Sequence, residues 1–214
     1  MKFRELNKHF SKSKYIDGEL KELEKLCLKN RIPILDRDAA DFLKLQLKIK
    51  RPKRVLEIGT AYGFSTLLTA KNTPLSAEIL SVEIDVERAE TARREIAKTA
   101  FSDKITIKIG DALDVLLYLN RKFDFVFLDA AKGQYLYLFE YIFDLLEPGG
   151  ILLADNVLYK GKVLSDKKAK HKNRTIVNNL KEYLEIIMNH PELDSTLIAA
   201  GDGMALSRRK DNNG

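Results

Sequence analysis

The sequence predicts one doubly wound α/β domain. Three observations predict it: two helix-periodic segments lead the chain, short apolar runs alternate with amphipathic stretches from Pro52 onward, and a hairpin signature closes it. A chain of 214 residues fits a single domain, 1–214, with a substantial core. Its first fifty residues read as a helical N-terminal extension. One helix is expected over 18–28, where Leu20, Leu23, Leu26 and Cys27 recur at helical spacing. After Pro33 a second is expected over 36–49, carried by Ala39, Phe42, Leu43, Leu45 and Leu47, with Asp36 and Asp38 as capping candidates.

Strands are expected over 54–58, 79–83, 105–109, 123–129 and 151–155. The helices between them should cover 64–71, 86–100, 112–120 and 135–146. Alternation of this kind implies a parallel sheet covered on both faces. A basic loop over 160–174 leads to a helix at 175–188, and strands near 195–199 and 204–208 are joined by the turn Ala200-Gly-Asp-Gly203.

Composition narrows the setting. Apolar residues make up 45% and charged residues 32%, a globular balance without fixed repeats. The single Cys27 excludes an intramolecular disulfide framework and a cysteine-based zinc site. No apolar run reaches membrane-span length and the N-terminus lacks a signal-peptide core, so a cytoplasmic protein without membrane association is expected. Lys and Arg number 37 against 31 Asp and Glu, a net +6 that suits either a polyanionic partner such as nucleic acid or a solvated basic surface.

In a doubly wound sheet the ligand crevice lies beyond the carboxyl ends of the strands. Those ends carry Glu57-Ile-Gly-Thr-Ala-Tyr-Gly63, Glu83-Ile-Asp85, Gly110-Asp-Ala112, Asp129-Ala-Ala-Lys132 and Asp155-Asn156. Acids repel one another along a common edge, so their recurrence there points to a ligand site. Gly59 and Gly63 permit a tight turn and close backbone approach before a helix, but Ala61 departs from the dinucleotide pattern G-x-G-x-x-G. Glu83 is placed to accept hydrogen bonds from both ribose hydroxyls of a nucleoside cofactor, and would repel the 2′-phosphate of NADP.

The run Val55-Leu-Glu-Ile-Gly-Thr-Ala-Tyr-Gly-Phe-Ser65, with Glu83 and Gly110-Asp-Ala112, resembles the S-adenosylmethionine site of class I methyltransferases. Asp129-Ala-Ala-Lys132 and Asp155-Asn156 narrow the resemblance to metal-dependent O-methyltransferases related to catechol and caffeoyl-CoA methyltransferases, over 32–208. The resemblance implies a Rossmann-like, seven-stranded, mostly parallel sheet whose last strand is antiparallel, and a homodimer. It implies that the loop from Glu57 through Gly59 and Gly63, with Leu35, Ala61 and Asp129, borders the donor. Ser65 would hold its methionyl carboxylate, Glu83 its ribose, and Asp111 with Ala112 its adenine. Asp129, Asp155 and Asn156 would ligate Mg²⁺ or another divalent cation. Lys132 would be the catalytic lysine that accepts the substrate proton.

Such chemistry calls for an acceptor with two adjacent oxygens, as in catechols or in 5-hydroxyuridine through O5 and O4. Asp155-Asn-Val-Leu-Tyr-Lys-Gly161, Arg174-Thr-Ile-Val-Asn178, His190-Pro191 and Gly201-Asp-Gly-Met-Ala205 resemble bacterial tRNA 5-hydroxyuridine methyltransferases. That resemblance implies a tRNA anticodon loop as partner and 5-methoxyuridine at the wobble position as product. Lys160, Lys162, the run 167–174 and Arg208-Arg-Lys210 are expected to surround the metal end with positive charge. Tyr135, Tyr137 and Tyr159 are candidates to stack on an unstacked base, or else core and rim residues. Some phenol-methylating relatives carry Gly-Gln where this chain reads Asp38-Ala-Ala-Asp41. The alternatives are a catechol- or caffeoyl-CoA-type enzyme acting on small phenols and a non-catalytic nucleotide- or RNA-binding module. His171 and His190 read as surface or capping residues.

Overall fold

Residues 18–165 and 171–211 are described by the computed structural model. The start of the N-terminal extension and residues 166–170 of the basic loop lie outside the described residues. Strands β1 (Arg54–Ile58), β2 (Glu78–Glu83), β3 (Ile105–Ile109), β4 (Phe123–Leu128) and β5 (Leu146–Ala154) run parallel. The sheet closes with β6 (Leu193–Ile198) and β7 (Met204–Arg209), in the order β3-β2-β1-β4-β5-β7-β6, with β7 antiparallel to both neighbours. The order reverses between β1 and β4, which opens a crevice beyond their carboxyl ends.

Strand alternation divides the core. Val55, Phe125, Phe127 and Leu153 face one side, where α1 (Gly18–Lys29), α2 (Arg37–Lys50) and α3 (Phe64–Asn72) bury Leu23, Leu43, Leu47 and Leu68 against them. Leu56, Ile58, Val126 and Leu128 face the other side, against α5 (Ala112–Leu117), α6 (Tyr135–Leu145) and α7 (His171–Asn189). Helix α4 (Val86–Ile96) packs Ala89, Ala92 and Ile96 on Ile107. The expected N-terminal helices thus serve as one covering layer of the sheet. Among the described residues no helix is long and apolar enough to cross a membrane.

Several boundaries differ from expectation, four of them by three residues or more. Helix α4 ends at Ile96, and the Thr99 hydroxyl donates to the Ile96 carbonyl instead of the chain continuing as helix to 100. Strand β5 begins at Leu146, since Pro148-Gly149-Gly150 passes as an irregularity in the β4–β5 ladder and not as a terminating turn. Helix α7 starts at His171, earlier than expected, and α5 stops at Leu117. Asp36 holds the N-cap position of α2 without a capping side-chain bond, while the Asp38 carboxylate accepts the Ala39 N–H at 3.1 Å.

Candidate active site

A cavity of about 560 Å³ opens at the carboxyl ends of β1, β2 and β4. The loop after β1 adopts positive φ at Gly59 (105°), Ala61 (47°) and Gly63 (89°), so three amides turn around one end of it. Gly59 lies so close to the acceptor side that a Cβ there would sit 2.1 Å from the Asp129 carbonyl oxygen. The Ala61 N–H donates to Glu83 Oε2 at 2.7 Å and the Asp85 N–H to Glu83 Oε1 at 3.0 Å. These two amides fix the Glu83 carboxylate in the cavity wall, and each oxygen keeps a lone pair for a diol. Leu35, Gly59, Ala61, Ser65, Glu83, Ala112 and Asp129 all line the cavity.

Glu57, Gly63, Asp111 and Asp155 stand elsewhere than on the lining. Gly63 is the N-cap of α3, and a Cβ there would stand 3.3 Å from the Ala92 Cβ of α4, so it shapes the loop from behind. Asp111, expected on the adenine, caps α5 by accepting the Leu113 N–H at 2.9 Å on one carboxylate oxygen and has Gln134 Nε2 3.4 Å from the other. Ala112 beside it does line the cavity. Glu57 is fully buried behind the loop, where Oε2 accepts the Ser81 hydroxyl at 2.6 Å and the Thr66 hydroxyl, while Oε1 has no partner. Burial pushes the Glu57 carboxyl up to about 7, with the Ser65, Ser81 and Thr66 hydroxyls opposing and the Asp129 charge adding. Its placement makes it a support of the loop.

Arg88 and Gln134 line the cavity although the strand-end motifs did not name them, and Tyr62 and Ile84, inside those motifs, line it without having been given a role. Ile84 and Arg88 follow Glu83 closely and Gln134 follows Lys132, so proximity in sequence was the only available signal. Ile84 is 63% exposed where it lines the cavity.

The other end of the cavity is built by β4 and β5. Leu128 pairs with Ala154, and the Asp155 N–H donates to the Leu128 carbonyl at 3.0 Å, which sets Asp129 and Asp155 at neighbouring strand ends. Asn156, at φ 57°, lines the cavity and donates both its N–H (2.8 Å) and its Nδ2 to the Asp155 carboxylate. Lys132, also on the lining, donates from Nζ to Asp129 Oδ1 at 2.7 Å and to the Tyr135 hydroxyl at 2.8 Å. Burial first, and the Asp129 charge next, push the Asp155 carboxyl above its usual range, with Lys132 opposing. Burial, with Asp129 and Asp155, also pushes the Tyr135 phenol well up.

Among the described residues no three His, Cys, Asp or Glu side chains cluster as a metal site. The expected set is two carboxylates and one amide. Two carboxylates at one edge, one of them nearly inaccessible, face a single lysine and leave negative charge uncompensated. Asn156 spends its amide N–H on Asp155 and keeps its carbonyl oxygen as donor atom. These hard oxygen donors fit a divalent cation of the Mg²⁺ type.

One expectation about nucleic-acid contacts is corrected, and Tyr135 takes the core role that was its alternative. The antiparallel register sets Arg208 opposite Ile151 and Ala205 opposite Ala154, so Arg208-Arg-Lys210 lie at the far end of β5 from Asp155. They are occupied there, Arg208 by Asp211 (2.6 Å), Arg209 by Glu192 (3.3 Å) and Lys210 by Asp194 (3.9 Å). Tyr135 is wholly buried and cannot stack on a base. Tyr137 is exposed on α6, and Tyr159 lies beneath Lys162 Nζ, 4.4 Å from the ring centroid; neither lines the cavity. Lys160 and Lys162 do lie in the segment that follows Asn156, and Arg174 is exposed in the first turn of α7. His190 accepts the Glu192 N–H at Nδ1 (3.2 Å) and stacks near Phe143, a capping role.

An acid holding a diol position, a glycine turn over it, and a lysine beside paired acids across the strand-order switch together describe a class I, Rossmann-like methyltransferase. A model of the O-methyltransferase family matches residues 10–210, and the chain belongs to that family. It is 31% identical over 199 residues to caffeoyl-CoA O-methyltransferase 1 of Eucalyptus globulus, covering 89% of this chain and 81% of the relative. It is 29% identical over 175 residues to a catechol O-methyltransferase of Niastella koreensis, covering 78% and 77%. The O-methyltransferase from Bacillus cereus, solved in complex with SAH, superposes with a TM-score of 0.83 at 25% identity over 96% of both chains. The protein is a SAM-dependent O-methyltransferase.

Proposed function

We propose that the protein methylates O5 of 5-hydroxyuridine at the wobble position of tRNA, giving 5-methoxyuridine. The observation that carries the chemistry is the Lys132–Asp129 pair beside Asp155 and Asn156, at the opposite end of the cavity from Glu83. Glu83 and the Gly59–Gly63 turn hold the donor so that its methyl group faces the acceptor end. Asp129, Asp155 and Asn156 would hold a divalent cation, whose Lewis acidity would lower the pKa of an acceptor hydroxyl that has a second oxygen beside it. Lys132 Nζ accepts the hydroxyl proton as the oxygen attacks. The C–O bond forms as the C–S bond breaks, and the electron pair stays on sulfur.

The RNA reading is supported by the segments resembling tRNA 5-hydroxyuridine methyltransferases and by Lys160, Lys162 and Arg174 following the acceptor end. The same reading takes the enzyme as a cytoplasmic homodimer. The names of the curated relatives favour a second acceptor, a small phenol with vicinal oxygens. One paired assay separates the two. Purified protein with SAM and Mg²⁺ is offered tRNA carrying 5-hydroxyuridine and, separately, caffeate and catechol, and products are read by nucleoside analysis and chromatography. We expect 5-methoxyuridine from the tRNA, at a rate lowered at least about 100-fold by Lys132→Ala with SAH binding retained. Turnover of the phenols alone would move the conclusion to the second acceptor.

A further inference from the structure

Lys132 does not hold its own direction. A lysine side chain has four rotatable bonds, and a group that takes a proton from a fixed acceptor needs a fixed lone pair. Around Lys132 the partner that supplies this is Tyr135, the first residue of α6 and wholly buried. Its ring packs edge-on against Tyr183 of α7, with centroids 5.6 Å apart and planes at 79°, so the phenol cannot swing.

The hydrogen-bond inventory settles which way the phenol works. A tyrosine hydroxyl has one hydrogen. Two carbonyl oxygens lie within reach of it, that of Leu128 at 3.0 Å and that of Asp155 at 2.9 Å, and carbonyls only accept. The hydrogen is therefore committed to the two strand ends, and the oxygen presents a lone pair to Lys132 Nζ at 2.8 Å. Asp129 Oδ1 takes a second direction on Nζ at 2.7 Å. Nitrogen is tetrahedral, so with the side chain and these two bonds in place a single direction remains, and Lys132 lines the cavity.

We infer that Tyr135 is a positioning residue for methyl transfer, fixing the open direction of Lys132 Nζ toward the acceptor while tying it to the strand ends that carry Asp129 and Asp155. The inference rests on the reading of Lys132 as proton acceptor and adds to it the group that aims it. It also explains why a tyrosine occupies a core position where phenylalanine would satisfy packing.

The test is a cycle of Tyr135→Phe, Lys132→Ala and the double variant, with kcat, the KM of the acceptor methylated by the wild type, SAH affinity by calorimetry and melting temperature. Tyr135→Phe should lower kcat about tenfold or more while the acceptor KM and SAH Kd stay within about twofold. In the Lys132→Ala background the same change should have no further effect on kcat. A kcat within twofold of wild type, or an equal drop in both backgrounds, would overturn the inference. Phenylalanine also takes the hydroxyl donor from the Asp155 carbonyl, while the Leu128 carbonyl keeps the Asp155 N–H, and lowers stability, so a crystal structure of Tyr135→Phe with SAH supplies an independent reading. Nζ should leave its place beside Asp129 or occupy more than one conformer. An unmoved, single-conformer Lys132 sinks the inference alone, whereas near-normal turnover of Lys132→Ala sinks the proton-acceptor reading beneath it.

Discussion

Replacing Glu57 by Gln isolates the cost of keeping a carboxyl group in the floor of the donor loop. Glu57 has no exposed surface, and its carboxyl is pushed from 4.5 to about 7, chiefly by burial. A displacement of that size corresponds to about 3 kcal/mol of folding free energy. Because the folded-state value is the higher one, the folded chain binds the proton more tightly than the unfolded chain. Its benefit is complete below pH 4.5 and is lost as pH rises toward 7, beyond which the curve is flat. Glutamine keeps a carbonyl oxygen for the Ser81 and Thr66 hydroxyls but turns an amide toward the space beside Oε1, where no partner stands. That fault costs roughly 1–3 kcal/mol at every pH alike. Urea unfolding of both proteins in EDTA, from pH 4.5 to 8, should therefore give a stability difference that moves by about 3 kcal/mol in favour of Gln as pH rises. A difference that stays constant across this range would refute the assignment of a proton to Glu57.

Two further predictions concern the donor end. Gly59→Ala places a Cβ 2.1 Å from the Asp129 carbonyl oxygen on a backbone already at φ 105°. It should cost about 2–5 kcal/mol in denaturant titrations and abolish SAH binding by calorimetry, because the obstruction is backbone and has no flexible end to yield. Glu83→Ala removes the acceptor for the Ala61 and Asp85 amides together with the diol site. SAH affinity should fall at least about 100-fold, with a smaller loss of affinity for methylthioadenosine analogues that lack the 2′-hydroxyl.

The strands were legible because their apolar runs are short, β-branched and bounded by turn residues; β1 and β3 start and stop where the pattern does. Element ends were less so, since they depend on bonds such as that of the Thr99 hydroxyl to Ile96. At the site, the acids and lysine at strand ends were recognisable, but not the allocation of each. Asp111 follows a strand and precedes a helix, and its cap bond to Leu113 was not foretold by the ligand motif. The run Arg208-Arg-Lys210 was misplaced because charge carries no direction, whereas the antiparallel β5–β7 register does. Glu57, by contrast, occupies a central strand enclosed on both faces, a position where a carboxylate is either partnered or protonated.

The terminal hairpin reaches back to the segment that bounds the acceptor. The Val157 and Leu158 amides donate to the carbonyls of Gly203 (2.9 Å) and Asp202 (3.1 Å), and the Asp202 carboxylate takes the Lys160 N–H. Gly203 lies so near Leu158 that a Cβ would meet its Cγ at 2.4 Å. The donor cavity is lined by residues between 27 and 156 alone, whereas the segment that follows Asn156 takes its backbone partners from the turn between the last two strands.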